Sequence, residues 1–183
     1  MVAYVFPGQG SQRPGMGADL VANSRSAAET FDEASAAAES DLRSLCFDAS
    51  EEDLRRTENA QIALFTCGVA AFRAVREAGA PAPAMVAGHS VGEYAALVAA
   101  DVLTLEQGVR AVLRRGQLMA QSGAERQGTM AAVLGLDIEM IQQACADIAH
   151  VGTVVVANDN SPGQIVISGD FDAVQAASAL LGD

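Results

Sequence analysis

Basic residues are scarce in this sequence of 183 residues: 11 arginines and no lysine stand against 23 aspartates and glutamates, for a formal net charge of -12. A surface of that sign repels phosphate backbones and anionic bilayers, which argues against a nucleic-acid or membrane-surface partner. Long apolar runs are missing too. Half of the residues are hydrophobic, yet no stretch approaches the roughly 18 residues that span a bilayer. The segment Met1 to Phe6 has no basic flank and runs straight into Pro7-Gly8, so it reads as a first strand, not a signal peptide, and cytoplasm is the expected compartment. The three cysteines, Cys46, Cys67 and Cys145, include no C-x-x-C pair, which excludes a disulfide framework and a zinc site and leaves buried thiols. No metal is expected. Histidine is limited to His89 and His150, a short supply for a nucleophile that needs a base.

What is present is an alternation. Apolar runs of strand length alternate with longer segments of helical period, the signature of an α/β protein with a mostly parallel sheet. Val2 to Phe6 and Ala84 to Ala87 read as central strands, each closed by a glycine-bearing loop. Helices are expected from Ser24 to about Glu39, in a short piece after Ser50, from about Asn59 to Glu77, and from Thr104 to about Gln121. Thr104 and Gln107 have the spacing of a capping box, and Leu105, Val109, Val112 and Met119 form the buried stripe of the last helix. Glu125 to Gly128 is a polar connector. Beyond it come a strand (Met130 to Leu134), a helix (Asp137 to Ala149), strands Thr153 to Ala157 and Gln164 to Ser168, and a helix from Phe171 to Leu181. The order β-α-β-β-α is a ferredoxin-like unit without its final strand. The division expected is therefore a core over 1–124 and an incomplete ferredoxin-like subdomain over 125–183.

Gly88-His89-Ser90-Val91-Gly92 is G-x-S-x-G between an apolar strand and a helix, the setting of a nucleophile elbow. Ser90 is the candidate catalytic nucleophile of an acyl-transfer site, and the Val91 N–H at the helix start is an oxyanion donor. His89 is expected to order the elbow, because adjacent side chains on that turn aim apart. The loop Phe6-Pro7-Gly8-Gln9-Gly10-Ser11-Gln12 leaves the first strand at the same sheet edge, so Gln9 is the candidate second donor. A dinucleotide loop is excluded, since Arg13 stands where a third glycine is required. Arg110 and Arg114 belong to a solvated face, with Glu106 one turn before Arg110. Arg115 differs: its helical neighbours are Ala111, Val112, Leu118 and Met119, and no local acid offsets its charge. A substrate carboxylate is one counter-ion for it; an ion pair with a distant acid is the other.

Together, the loop Phe6 to Gln12, the elbow Gly88-His89-Ser90-Val91-Gly92-Glu93-Tyr94 and Arg115-Gly116 resemble the malonyl-CoA:acyl-carrier-protein transacylases, and polyketide acyltransferase domains are similar. Asn158 to Gly169 resembles that family's Asn-x-Pro-Gly-Gln loop and strand. The resemblance implies an α/β-hydrolase-like core with a ferredoxin-like subdomain, malonyl-CoA as substrate, acyl carrier protein as partner and no cofactor. It implies that Ser90 carries malonyl, that Arg115 holds the malonyl carboxylate, and that Gln9 and Val91 form the oxyanion hole. Gln61 matches the family's active-site glutamine, although Ile62 replaces the usual proline, and Val91 is more like malonyl-selective than methylmalonyl-selective members. The family carries its catalytic histidine beyond the ferredoxin-like unit, past Asp183. The isolated chain is therefore expected to be impaired as a transferase. A serine esterase or thioesterase, and a non-catalytic fragment of a split acyltransferase, are the competing expectations. A local basic patch with Arg114 or Arg126 would offset the net negative charge toward an acidic carrier protein.

Overall fold

The computed structural model describes residues 1–125 and 128–182. The chain divides into two compact units, Met1–Gln121 and Ser122–Asp183. In the first, β1 (Ala3–Phe6) runs parallel to β2 (Met85–Gly88), with Ala3 opposite Met85 and Phe6 opposite Gly88. Five helices lie between the strands: α1 (Ala18–Asn23), α2 (Arg25–Ala38), α3 (Leu42–Phe47), α4 (Glu51–Arg55) and α5 (Thr57–Glu77). Two follow β2, namely α6 (Gly92–Ala99) and α7 (Leu105–Glu125), whose residues 122–125 fall in the second unit.

Side-chain size sets the packing. Ala27 and Ala34 let α2 lie against α5, while Phe31 and Phe65 fill the core with no exposed surface. A side chain of that size, fully buried, contributes about 1.5–3 kcal/mol. Phe72 of α5 meets Tyr4 edge-on at 5.4 Å and Phe6 at 6.2 Å, fastening the helix to the strand. The capping box at the start of α7 is formed, with Gln107 N–H donating to Thr104 Oγ1 at 3.1 Å and Thr104 N–H to Gln107 Oε1 at 3.0 Å. At α4, Asp53 N–H donates to Ser50 Oγ, but the Asp53 carboxylate returns to the Ser50 hydroxyl and not to its backbone.

The strands depart from expectation, because only one face of the pair is covered. Phe6 is buried, and Tyr4 and Val86 are half-buried, under α5 and α6. On the other face Val5 is 73% exposed and Met85 60%. With two strands in this sheet among the described residues, neither is central.

The second unit runs β3 (Gly128–Leu134), α8 (Ile138–Asp147), β4 (Val154–Ser161), β5 (Gln164–Asp170) and α9 (Phe171–Gly182). Its antiparallel sheet has the order β3-β5-β4, so α8 joins two strands with a third inserted between them, the split βαβ arrangement. Val133, Ile141, Val154, Ile165, Ile167 and Val174 form the core. The polar connector expected over 125–128 is shorter: Glu125 ends α7, Gly128 begins β3, and Arg126 lies outside the described residues. β4 runs past Ala157 to Ser161, because irregularities between Val156 and Asn158 and between Asp159 and Ser161 absorb the extra residues. Pro162-Gly163 then turns the hairpin, with Gly163 at φ 75°. Among the described residues no helix is long and apolar enough to cross a membrane.

Candidate active site

Ser90 sits between β2 and α6 with φ 53°, left-handed for a residue that is not glycine. Such a backbone costs on the order of 1–3 kcal/mol and persists where its surroundings over-determine it. Here they do. His89 N–H donates to Phe6 O at 3.0 Å, Gly92 N–H to His89 O at 2.9 Å, and Glu93 N–H to Ser90 O at 3.1 Å. A Cβ on Gly88 would lie 2.1 Å from the Gly92 carbonyl carbon, and one on Gly92 would lie 2.4 Å from Phe6 O. Strand end, elbow and helix start are thus in backbone contact, which side chains at 88 or 92 would break. The Ser90 side chain is exposed at the top of this turn, and Val91, directly behind it, is fully buried.

The loop after β1 meets the elbow. A Cβ on Gly8 would lie 2.4 Å from His89 Nδ1, so the imidazole rests on the Gly8 backbone. Gly10 turns at φ 105°, and its N–H donates to Gln12 Oε1 at 2.8 Å. The Gln9 side chain reaches across to α5, where Thr57 Oγ1 donates to Gln9 Oε1 at 3.1 Å.

Arg115 arrives from α7, which crosses α5 closely at two glycines. A Cβ on Gly108 would lie 2.4 Å from the Phe65 ring, and one on Gly116 would lie 2.9 Å from the Glu58 Cα. That approach sets Arg115 opposite Gln61, whose Oε1 accepts from Arg115 Nη1. Arg115 Nη2 donates to Ser90 Oγ at 3.0 Å. Gln61 is fully buried, and its Nε2 donates to Thr57 Oγ1 at 2.9 Å and to Met119 Sδ at 3.2 Å. No carboxylate among the described residues pairs with Arg115. Arg110, by contrast, pairs with Glu106 at 2.5 Å on the solvated face.

Two details of α7 and α5 differ from the periodicity and motifs of the sequence. Met119 is 45% exposed and Leu118 46%, so Arg115 leaves the helix at the edge of its apolar stripe and not within it. Gly116 already packs on Glu58 in the first turn of α5, so Met119, one turn further on, turns its sulfur to Gln61 and leaves nearly half of its surface exposed. The second difference is Thr57, absent from the motif reading although it stands one turn before Gln61. The spacing i,i+4 on a helix was the available signal.

His150 lies in the second unit, its Nδ1 2.9 Å from Asp147 O at the end of α8. The groove of about 760 Å³ lined by Phe72, Arg73, Asp101 and Leu105, among others, shares no residue with the Ser90 network. Among the described residues no group of three histidine, cysteine or acidic side chains is placed to hold a metal ion.

A serine on a strand-turn-helix turn, hydrogen-bonded to an arginine, has the arrangement of a nucleophile elbow. Residues 3–183 match the acyl transferase domain model, and the chain belongs to that family. It is 48% identical over 177 residues to the malonyl CoA-acyl carrier protein transacylase of Escherichia coli K12, covering 97% of this chain and 57% of that protein. The Bacillus subtilis enzyme of the same name is 44% identical, with 98% of this chain and 56% of the relative covered. Among solved structures, the malonyl-CoA:acyl carrier protein transacylase of Xanthomonas oryzae superposes with a TM-score of 0.92 at 49% identity, over 98% of this chain and 57% of that one. A type II PKS acyl-carrier protein in complex with its malonyl-transacylase gives 0.92 at 44% identity, over 98% and 58%. The chain therefore spans a little over half the length of the relatives it matches.

Proposed function

We propose that this chain carries the acyl-accepting part of a malonyl-CoA:acyl-carrier-protein S-malonyltransferase. The carrying observation is the 3.0 Å bond from Arg115 Nη2 to Ser90 Oγ, which sets a fixed cation beside an exposed nucleophile. A malonyl group has two carbons between its thioester carbonyl and its carboxylate oxygens. Attack at the carbonyl therefore brings the carboxylate within reach of the same guanidinium, whose planar fork suits two oxygens. The bound carboxylate would take the place that Ser90 Oγ holds on Nη2, freeing the hydroxyl for attack.

In the first half-reaction Ser90 Oγ bonds to the thioester carbonyl carbon, its proton passes to a base, and the C–S bond breaks to release coenzyme A. In the second, the phosphopantetheine thiol of the carrier protein attacks the malonyl ester and Ser90 leaves with a proton. The negative oxygen of each tetrahedral intermediate faces the backbone N–H groups of Val91 and Gln9. His89, resting on Gly8, keeps the two loops together. Gln61, Thr57, Gln9 and Arg115 carry no group that takes a proton at neutral pH, so the base lies outside their network. The acyl group starts and ends as a thioester and passes through the Ser90 ester, so the chemistry calls for no further cofactor.

Intact-mass analysis after mixing with malonyl-CoA tests this reading. A malonyl adduct that disappears in Ser90→Ala and is formed much less readily from acetyl-CoA supports it. Equal labelling by acetyl-CoA, or an adduct that survives Ser90→Ala, would overturn it. Release of malonate to water faster than to the carrier protein would favour a thioesterase.

A further inference from the structure

The hydrogen bonds around Arg115 have a direction, and the direction starts from chemistry. A guanidinium donates and never accepts, so the Gln61 atom that faces it is Oε1. The Gln61 amide nitrogen must then face the other way, where it meets Thr57 Oγ1 at 2.9 Å and Met119 Sδ at 3.2 Å. Having accepted from Gln61, the Thr57 hydroxyl keeps one proton, and it donates this to Gln9 Oε1 at 3.1 Å. The order of donation is Arg115 to Gln61 to Thr57 to Gln9, with no group used twice in the same sense. Thr57 is the only member that touches both the loop after β1 and the glutamine beneath the arginine.

We infer that Thr57 is a positioning residue: its hydroxyl fixes the amide orientation of Gln61 that receives Arg115 and ties that assembly to the Gln9 loop. Gln61 is fully buried, so without the hydroxyl its Nε2 retains only the weakly accepting sulfur of Met119. The amide then has reason to rotate, and rotation would turn an N–H toward a guanidinium that cannot accept it. Arg115 would leave its place over Ser90, and the Gln9 loop would lose its tie to α5. The functional consequence rests on the proposed malonyl transfer; the structural one does not.

The test compares Thr57→Val, which keeps the shape and removes the hydroxyl, with Thr57→Ser, which keeps the hydroxyl. Side-chain NMR reads the Gln61 amide and the Arg115 Nε–Hε resonances in the chain without substrate. Thr57→Val is expected to shift both, and Thr57→Ser to leave them near their original positions. On the functional side, the rate of malonyl labelling at Ser90 relative to acetyl labelling is expected to fall about tenfold in Thr57→Val, the equivalent of one hydrogen bond of about 1.4 kcal/mol. Thr57→Ser should stay within about twofold. Unchanged Arg115 and Gln61 resonances in Thr57→Val, or a serine variant that behaves like valine, would overturn the assignment. If the parent chain takes no malonyl label, the proposed function fails by itself, while the NMR comparison still decides the role of Thr57.

Discussion

Gly116 of α7 passes the Glu58 backbone of α5 so closely that a Cβ would lie 2.9 Å from the Glu58 Cα. The side chain next to that crossing, Arg115, is the one that reaches both Gln61 and Ser90. The site is thus set by how near two helices lie, and the nearness depends on a missing side chain.

Gly116→Ala is a direct probe of that dependence. On an ordinary exposed helix, glycine to alanine stabilises by about 0.5–1 kcal/mol. Here the added methyl meets backbone, so the variant is expected to lose about 1–3 kcal/mol in denaturant unfolding and to lower malonyl labelling of Ser90. A gain in stability would show that the helices separate freely.

Arg115 is expected to govern acyl-group choice and not the elbow itself. Arg115→Ala should reduce labelling by malonyl-CoA about 10–100-fold, the range for a lost hydrogen-bonded charge, and leave labelling by acetyl-CoA nearly unchanged. Parallel losses with both donors, measured by single-turnover mass spectrometry, would contradict this.

The strained turn at Ser90 predicts an order of stability between two inactive variants. Ser90→Gly relieves the φ of 53°, whereas Ser90→Ala keeps it. The glycine variant is expected to be the more stable by about 1 kcal/mol in urea melts. Equal midpoints would mean that the elbow holds no strain.

Acid should weaken the first unit partly through Glu77. Its carboxylate accepts from Ser24 Oγ at 2.5 Å, and from Ser26 N–H at 3.1 Å and Ser26 Oγ at 2.9 Å; these bonds, Ser24 first, hold its pKa below the ordinary glutamate value. A carboxyl group whose folded pKa is lowered contributes stability above its unfolded pKa, near 4.3, and loses that contribution as pH falls through the lower folded value. Glu77→Gln should therefore flatten the stability profile on the acid side, in thermal melts from pH 7 downward. An unaltered profile would remove Glu77 from the acid response.

Cys67 should resist alkylation while the chain is folded. A hydrogen bond to Cys46, then burial, push its thiol well above the ordinary range, so almost no thiolate exists at pH 8. Peptide mapping after iodoacetamide is expected to find Cys67 unmodified in the native chain and modified in urea. Rapid native labelling would indicate that α3 and α5 open readily.

Much of this fold could be read locally. The elbow, the capping box of Thr104 and Gln107 and the β-α-β-β-α order of the second unit each depend on residues a few positions apart. α1 and α3, six residues each, have too few turns to display a period. The limits of β4 depended on bulges, which composition does not announce.

By itself the sequence determined the chemistry on offer: glycines at 88 and 92 where backbones must touch, a serine between them, and an arginine 25 residues later. Short-range sterics and capping act within a few residues, so they are written in order along the chain. Only the tertiary structure decided which groups meet. The bond of Thr57 to Gln9 spans 48 residues, that of Gln61 to Arg115 spans 54, and that of Gln61 to Met119 spans 58. Distances of that kind follow from how closely helices pack, which is a sum over the whole core and belongs to no single segment.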